Sequence, residues 1–418
     1  MTTSTPKANR IHIGFFGRCN AGKSTLINML TDQPVSLVSE VSGTTTDPVS
    51  KAMEILPLGP VVITDTAGVD DTSILGTLRV EKTKEIIKKI NLAVYVLRSD
   101  KAPTAEDYVW LEELNKQNLP VAILVNEISY NHHGDDVQLK YRFDIDEYVN
   151  SNKQIEKLGT VISYGDFTTN DNRLELLDLL GGLTPLDNEE DQPLLSGLVD
   201  PGDTIVLVCP IDSAAPKGRL ILPQVQAIRE VLDYKGLALV TQTEEIPQLL
   251  ASLVKPPKLV ITDSQAFEDV NKLVPNTIAL TSFSILMARF KGKLKDLVAG
   301  VEAIRTLKPG FKVLVSEGCT HRRQCDDIGT VKIPMWLEKN GYTDLEFTWT
   351  SGGAFPEDIT SYNLIIHCGA CMLTRREVLR RMDVAYMQGV PIVNYGVLIA
   401  ELHGILKRAI SPFEDELQ

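Results

Sequence analysis

The chain has 418 residues, 43% of them apolar and 23% charged, with a formal net charge of −13. That length exceeds what a single hydrophobic core supports, so two or three domains are expected. The acidic balance argues against broad nucleic-acid or anionic-membrane binding, which needs a surplus of Lys and Arg, and leaves only a local basic patch open. No stretch is long and apolar enough to span a bilayer, and the opening MTTSTPKANRIHIG lacks the apolar run of a signal peptide. A soluble, cytoplasmic protein is expected, with no membrane or nucleic-acid partner. Six cysteines are no disulfide framework in a chain of this size, so the clustered ones point to metal or catalysis.

From Ile11 to about Leu180, apolar runs (IHIGFFG, VVITDTAG, NLAVYVLRSD, VAILVNEIS) alternate with amphipathic stretches such as STLINML and LRVEKTKEIIKKI. The alternation predicts βαβ units and a mostly parallel sheet. After the first run comes GRCNAGKS, which fits G-x-x-x-x-G-K-S over Gly17 to Ser24, with a helical pattern next. In such a loop the backbone amides around Asn20, Ala21, Gly22 and Thr25 wrap phosphates. Lys23 reaches the β and γ phosphates, and the Ser24 hydroxyl ligates Mg²⁺. Downstream, VVITDTAG offers Asp65 to hold a metal-bound water and the Gly68 amide to face a γ-phosphate. Between them SGTTTD offers Thr45 as a second hydroxyl ligand for Mg²⁺, with Thr44 and Thr46 as alternatives. Lys23, Thr45, Asp65 and Gly68 are the expected catalytic set of a switch-type nucleotide hydrolase.

The loop and the GTTTD switch resemble the translation-factor-related GTPases of the tRNA-modification and Era-like branch. The resemblance implies GTP as nucleotide and makes Asn20 a ligand for K⁺, which would supply positive charge where other GTPases use an arginine finger. Val69 stands where Ras-like enzymes carry the water-orienting Gln, so slow intrinsic turnover is implied. The branch reads guanine with Asn-Lys-x-Asp, whereas this chain has Asn126, Glu127, Ile128 and Ser129. Asn126 is retained, but the carboxylate that pairs with the guanine ring is replaced by Ser129, so the residues do not secure base selectivity. Ser163, in VISYG, is a further candidate for the base-side loop.

The segment GGLTPLDNEEDQPLLSGLVDPGD reads as a linker, roughly 182–202. A second α/β run follows, with strands TIVLVCP, LALVTQT and KLVITDS and helices PQVQAIREVLDYK and EEIPQLLASLV. The apolar-faced TSFSILMARFKGKLKDLVAGVEAIRTL is expected to be a long helix closing this run. The third region opens with KVLVSEG and continues through IPMWLEKNG, LEFTWTSGG, YNLIIHCG and TRREVLRRMDVAYMQG.

Cys319-Thr-His321 follows the strand KVLVSEG, and His367-Cys368-Gly-Ala-Cys371 follows NLIIHCG. If the two strands are parallel neighbours, their carboxyl ends share one edge, where such folds place ligands. Thiolates and imidazoles there suit Zn²⁺ or an iron–sulfur cluster. With three thiols, one iron of a [4Fe–4S] cluster would be held by a weaker ligand, His321 or His367 being candidates, or stay open. Cys209 and Cys325 lack such spacing and read as ordinary cysteines, and Cys19 is a spacer in the phosphate loop.

Together, the switch GTPase motifs, the middle α/β run and CTHRRQCDDIG with HCGAC resemble the [FeFe]-hydrogenase maturation GTPases, the HydF family. The resemblance spans nearly the whole chain. It implies an α/β protein of three domains: a P-loop GTPase over 1–182, a middle dimerisation domain over 183–303, and an iron–sulfur cluster-binding domain over 304–418. It places the ligands of a [4Fe–4S] cluster on Cys319, Cys368 and Cys371. A homodimer is implied, working with two radical-SAM maturases and carrying a transient di-iron cargo to apo-[FeFe]-hydrogenase. Two other readings remain at this stage: a tRNA-modification or ribosome-assembly GTPase with a structural zinc module, and a nucleotide-gated iron–sulfur protein whose hydrolysis is vestigial.

Overall fold

A computed structural model of the chain describes residues 10–31, 49–55, 59–66, 83–127, 144–164, 170–183, 193–210, 220–318, 327–352 and 354–417. The chain divides into two compact units, 1–188 and 189–418.

The first unit is built on strands β1 (Ile11–Phe16), β2 (Val49–Ile55), β3 (Gly59–Asp65), β4 (Leu92–Arg98), β5 (Val121–Asn126) and β6 (Thr160–Tyr164). Their spatial order is β2-β3-β1-β4-β5-β6, and every pair is parallel except β2 with β3. Helices cover both faces, so the strands are apolar on both sides. Along β4, Leu92, Val94 and Val96 join the core under helices α1 (Lys23–Thr31) and α4 (Asn170–Leu183). The alternate residues Ala93, Tyr95 and Leu97 join the core under α2 (Ala105–Lys116) and α3 (Ile145–Ser151). Thr104 and Asp107 form a capping box that starts α2, and the buried Asp107 carboxylate also accepts from the Tyr95 hydroxyl at 2.8 Å.

The second unit holds two four-stranded sheets. One comprises β7 (Thr204–Val208), β8 (Leu237–Thr241), β9 (Leu259–Thr262) and β10 (Ala279–Ser282), in the order β10-β9-β7-β8. The other comprises β11 (Lys312–Glu317), β12 (Glu346–Ser351), β13 (Leu364–His367) and β14 (Ile392–Asn394), in the order β12-β11-β13-β14. All pairs in both sheets are parallel. Helices α5 (Leu222–Asp233), α6 (Ile246–Ser252) and α7 (Phe267–Leu273) connect the first sheet. A single buried apolar cluster runs from Leu194 to Phe413 and joins the two sheets.

The long helix expected from TSFSILMARFKGKLKDLVAGVEAIRTL is instead the end of β10 followed by α8 (Phe283–Lys291), α9 (Leu294–Ala299) and α10 (Val301–Arg305). Ser282 caps α8 by accepting from the Ile285 amide, and Gly292 and Gly300 mark the two breaks. At Gly300 an added Cβ would stand 2.2 Å from the Ile392 carbonyl oxygen and 2.8 Å from Val393 Cγ1. Glycine there lets the segment lie directly on β14. The remaining helices are α11 (Ile333–Lys339), α12 (Arg375–Met387), α13 (Tyr395–Leu402), α14 (Leu406–Ile410) and α15 (Glu414–Leu417).

Gly300→Ala should therefore force a backbone shift costing about 1–3 kcal/mol and lower the melting temperature of the second unit by several degrees. Gly182→Ala in α4, where nothing lies within 4 Å, should leave the melting temperature unchanged or raise it. Thermal unfolding of both variants, followed by circular dichroism, checks this.

Candidate nucleotide and metal sites

The phosphate loop leaves the carboxyl end of β1, whose neighbours in the sheet are β3 on one side and β4 on the other. This is the switch point at which open α/β sheets bind ligands. Gly17 has φ +133°, and a Cβ there would meet the Val96 carbonyl oxygen at 2.5 Å, so the loop can turn over β4 only with glycine. Asn20 also takes a positive φ of 59°. Lys23, 8% exposed, donates to the carbonyls of Gly17 and Arg18 at 2.9 Å each, which holds the loop around its ammonium.

Ser24 Oγ donates to Asp65 Oδ2 at 3.4 Å, bringing the expected Mg²⁺ ligand beside the carboxylate expected to hold a metal-bound water. The other oxygen, Asp65 Oδ1, is buried and has no hydrogen-bond partner among the described residues. An orphaned carboxylate oxygen beside a hydroxyl is the donor set a hydrated Mg²⁺ would satisfy, so the residues fit the ion. Burial raises the Asp65 pKa, and Lys23 and the Ser24 hydroxyl partly offset it. Thr66 ties this strand end to β1 by donating its hydroxyl to the Phe15 carbonyl at 2.7 Å.

On the base side, Asn126 ends β5 and its Nδ2 donates to the Ala21 carbonyl at 2.9 Å. The retained asparagine thus braces the phosphate loop. Ser163 lies in β6, paired in register with Val125. Thr25 and Cys19 are solvent-exposed. Thr44, Thr45, Thr46, Gly68, Val69, Ile128 and Ser129 lie outside the described residues.

The second site forms at the carboxyl edge of the β11–β13 pair. These strands are parallel neighbours, with Ser316 opposite His367, and β12 and β13 flank β11 on opposite sides. The loops after β11 and β13 therefore straddle a second switch point. Cys368 Sγ accepts from the Gly318 amide at 3.0 Å and from the Ala370 amide at 3.3 Å, the latter in a turn where Ala370 has φ +55°. Two amide donors thus converge on one sulfur, and Gly318 immediately precedes Cys319. Cys319, His321 and Cys325 lie outside the described residues, and among the described residues no group of three His, Cys, Asp or Glu stands together for a metal.

Two charged residues around this turn were not legible as site residues. Lys291, the last residue of α8, is 1% exposed and donates to the carbonyl oxygens of Leu373 and Cys371. Burial lowers its pKa to about 8, against the thiols of Cys371 and Cys368, which act to raise it. The Cys371 thiol is pushed up by burial and by Cys368, with Lys291 acting the other way. Arg381, fully buried, donates to Glu377 at 2.8 Å, Ser316 at 3.1 Å and the Gly352 carbonyl at 2.8 Å. The only hint in the sequence was position: Lys291 falls on the apolar face of α8 with Met287 and Ala288, and Arg381 on that of α12 with Val378, Met382 and Ala385.

His367 belongs to this network. Its Nδ1 meets the Cys368 carbonyl at 2.9 Å and its Nε2 meets Arg381 Nη1 at 3.2 Å. A carbonyl only accepts and a guanidinium only donates, so the partners place the ring proton on Nδ1. Both nitrogens are then engaged, and in this arrangement neither is open to a metal, unlike the ligand role the sequence offered. The site chemistry of Cys368 and Cys371, with amide donors at the sulfur and a buried ammonium alongside, fits an anionic thiolate-bound cluster.

Known proteins resemble both units. The family model for 50S ribosome-binding GTPases matches residues 12–127. The tRNA modification GTPase MnmE of Heliobacterium modesticaldum is 38% identical over 112 residues, covering 27% of this chain and 23% of the relative. GTPase Der of Campylobacter curvus is 36% identical over 112 residues, covering 27% of this chain and 24% of the relative. The chain thus spans about a quarter of the length of these curated relatives. A crystal structure of an Aquifex aeolicus Era variant bound to GDP.AlF4- aligns with 55% of this chain and 93% of its own, at 17% identity and a TM-score of 0.35. The second unit matches two further models, the hydrogen maturase F dimerization domain over 194–292 and the hydrogen maturase F tetramerization domain over 295–412. With a P-loop GTPase domain ahead of both, the chain belongs to the HydF hydrogenase maturase family.

Proposed function

We propose that this protein is a slow, K⁺-activated GTPase that holds a [4Fe–4S] cluster and carries a di-iron precursor to apo-[FeFe]-hydrogenase, working with two radical-SAM maturases. The observation that carries the cluster half is the Cys368 sulfur, which takes amide donors from both its own turn and the loop that leads to Cys319. In this reading Cys319, Cys368 and Cys371 hold the cluster, with the fourth iron left to His321 or to a guest. The domain limits that go with it are 1–182, 183–303 and 304–418.

A bound cluster would supply an iron with an exchangeable position, able to accept a ligand from the cargo. The chain's own residues prepare the place. Lys291 sets a buried positive charge beside the thiols, and His367 and Arg381 fix the carbonyl and strand end from which the Cys-x-x-Cys turn departs. In the first unit, Lys23, Ser24 and Asn20 would bind the phosphates, Mg²⁺ and K⁺, and Asp65 would orient a metal-bound water. Thr45 and Gly68 would complete the site from the switch segments. Self-association would use β8, an edge strand on which Leu237 and Val240 are 59% and 49% exposed.

The deciding experiment is metal analysis and visible spectroscopy of anaerobically purified protein before and after iron–sulfide reconstitution. The wild type should be brown and iron-loaded, and a Cys319→Ala/Cys368→Ala/Cys371→Ala variant colourless. Stoichiometric zinc with no bindable iron would sink this reading in favour of a GTPase with a structural zinc module. In steady-state assays, Asp65→Asn should cut Mg²⁺-dependent GTP hydrolysis about 10- to 100-fold, and wild-type rates should be higher in K⁺ than in Na⁺; equal rates would remove the cation role of Asn20. Leu237→Lys with Val240→Lys should convert the dimer to a slower-associating or monomeric form by light scattering, with the fold retained.

A further inference from the structure

We infer that Arg98 braces the phosphate loop from the strand beside Asn126, in a chain whose base-reading motif has no lysine, and so acts as a positioning residue for nucleotide binding. The lysine position of Asn-Lys-x-Asp is Glu127 here, an anion that cannot donate. A cation has instead been placed one strand over. Arg98 ends β4 directly opposite Asn126 in the β4–β5 register.

From that matched height the two side chains reach successive carbonyls of the phosphate loop. Arg98 Nη1 donates to the Asn20 oxygen at 3.2 Å, and Asn126 Nδ2 donates to the Ala21 oxygen at 2.9 Å. Asn20 is the non-glycine residue of this loop with positive φ, a conformation that persists only when its surroundings enforce it. The Ala21 amide closes the loop by donating to the Arg18 carbonyl at 3.2 Å, and because C=O and N–H point oppositely across a trans peptide, tying the Ala21 oxygen outward turns the Gly22 amide inward, where phosphate oxygens bind. The guanidinium is itself fixed. Asp100 grips it bidentately, through Nε to Oδ1 at 2.8 Å and Nη2 to Oδ2 at 2.7 Å, and the pair is only 26% and 13% exposed. A third N–H directed to the loop is more than a surface ion pair needs.

The inference rests on the GTPase reading of the first unit and adds to it. Because Arg98 acts on the loop rather than on the base, its loss should weaken every nucleotide alike. In full-length protein, Arg98→Ala should raise the Kd for a fluorescent GDP analogue roughly tenfold. ADP competition should weaken in proportion, and the melting temperature should not move. Arg98→Lys should recover part of the affinity. The decisive variant is Arg98→Ala/Glu127→Lys, which returns a cation to the motif's usual position and should bind more tightly than Arg98→Ala alone.

Wild-type affinity in Arg98→Ala would overturn the inference. So would a double variant no tighter than Arg98→Ala, or a loss confined to guanine nucleotides, which would make Arg98 a base reader. A wild type that binds neither GDP nor ADP would overturn the nucleotide-site reading itself, and is recognisable before any variant is made.

Discussion

Parallel strand pairing is the constraint on which both sites depend. In a parallel sheet every loop that follows a strand leaves from the same edge, and a strand with later strands on both sides opens a crevice there. Each of the three sheets in this chain begins with such a strand: β1 lies between β3 and β4, β7 between β8 and β9, and β11 between β12 and β13. The loop after β1 is the phosphate loop, and the loop after β11 leads to Cys319, with its Gly318 amide on the Cys368 sulfur. The same place in the middle sheet carries Cys209, whose thiol is buried and pushed up to about 12 by burial and then by Asp263, so it stays protonated and packs. One topology thus yields a phosphate cradle, a thiol pair and a plain core position, and side-chain chemistry alone separates them.

The thiol site is held by charges that would be costly to bury alone. Arg381 has no exposure and Glu377 is 2% exposed, and the Glu377 carboxyl, raised by burial, is brought below its ordinary range by Arg380 and Arg381. Removing one member of such a pair strands the other, at a cost of about 3–5 kcal/mol. Lys291 approaches from α8 and Arg381 from α12, so the turn of Cys368 is gripped from the segment matching the dimerization model and from the segment matching the tetramerization model. Both segments share one apolar core, so the protein itself supplies the polar partners around that sulfur.

The sequence was readable wherever one residue's chemistry met a local pattern. GRCNAGKS followed an apolar run, Asp65 stood at a strand end and Cys368 came directly after β13, while β11 and β13 proved to be the parallel neighbours the cysteine argument required. What escaped were contacts between distant elements. Lys291 and Arg381 did not stand out because a helical pattern shows which face a residue lies on, not what caps its charge from another element. The expected long helix over 281–307 broke because Gly300 answers to β14, nearly a hundred positions away, and a local propensity argument has no access to that carbonyl. His367, adjacent to the cysteines, was drawn into the ligand set by proximity, whereas a buried guanidinium claims its Nε2.

The nucleotide site keeps the phosphate-side motif of the GTPase branch it resembles and departs from the base-side motif, and the physics of the two halves explains how it can. Phosphate recognition rests on backbone amides, Lys23 and a metal, groups that act by charge and carry most of the affinity for a polyphosphate. Base recognition rests on a few directional hydrogen bonds whose loss affects discrimination more than retention. Replacing the motif's lysine and carboxylate by Glu127 and Ser129 weakens the second set but would also slacken the loop that the first set needs, because Asn20 is held in a strained conformation. Arg98 and Asn126 restore that hold from the ends of two adjacent strands.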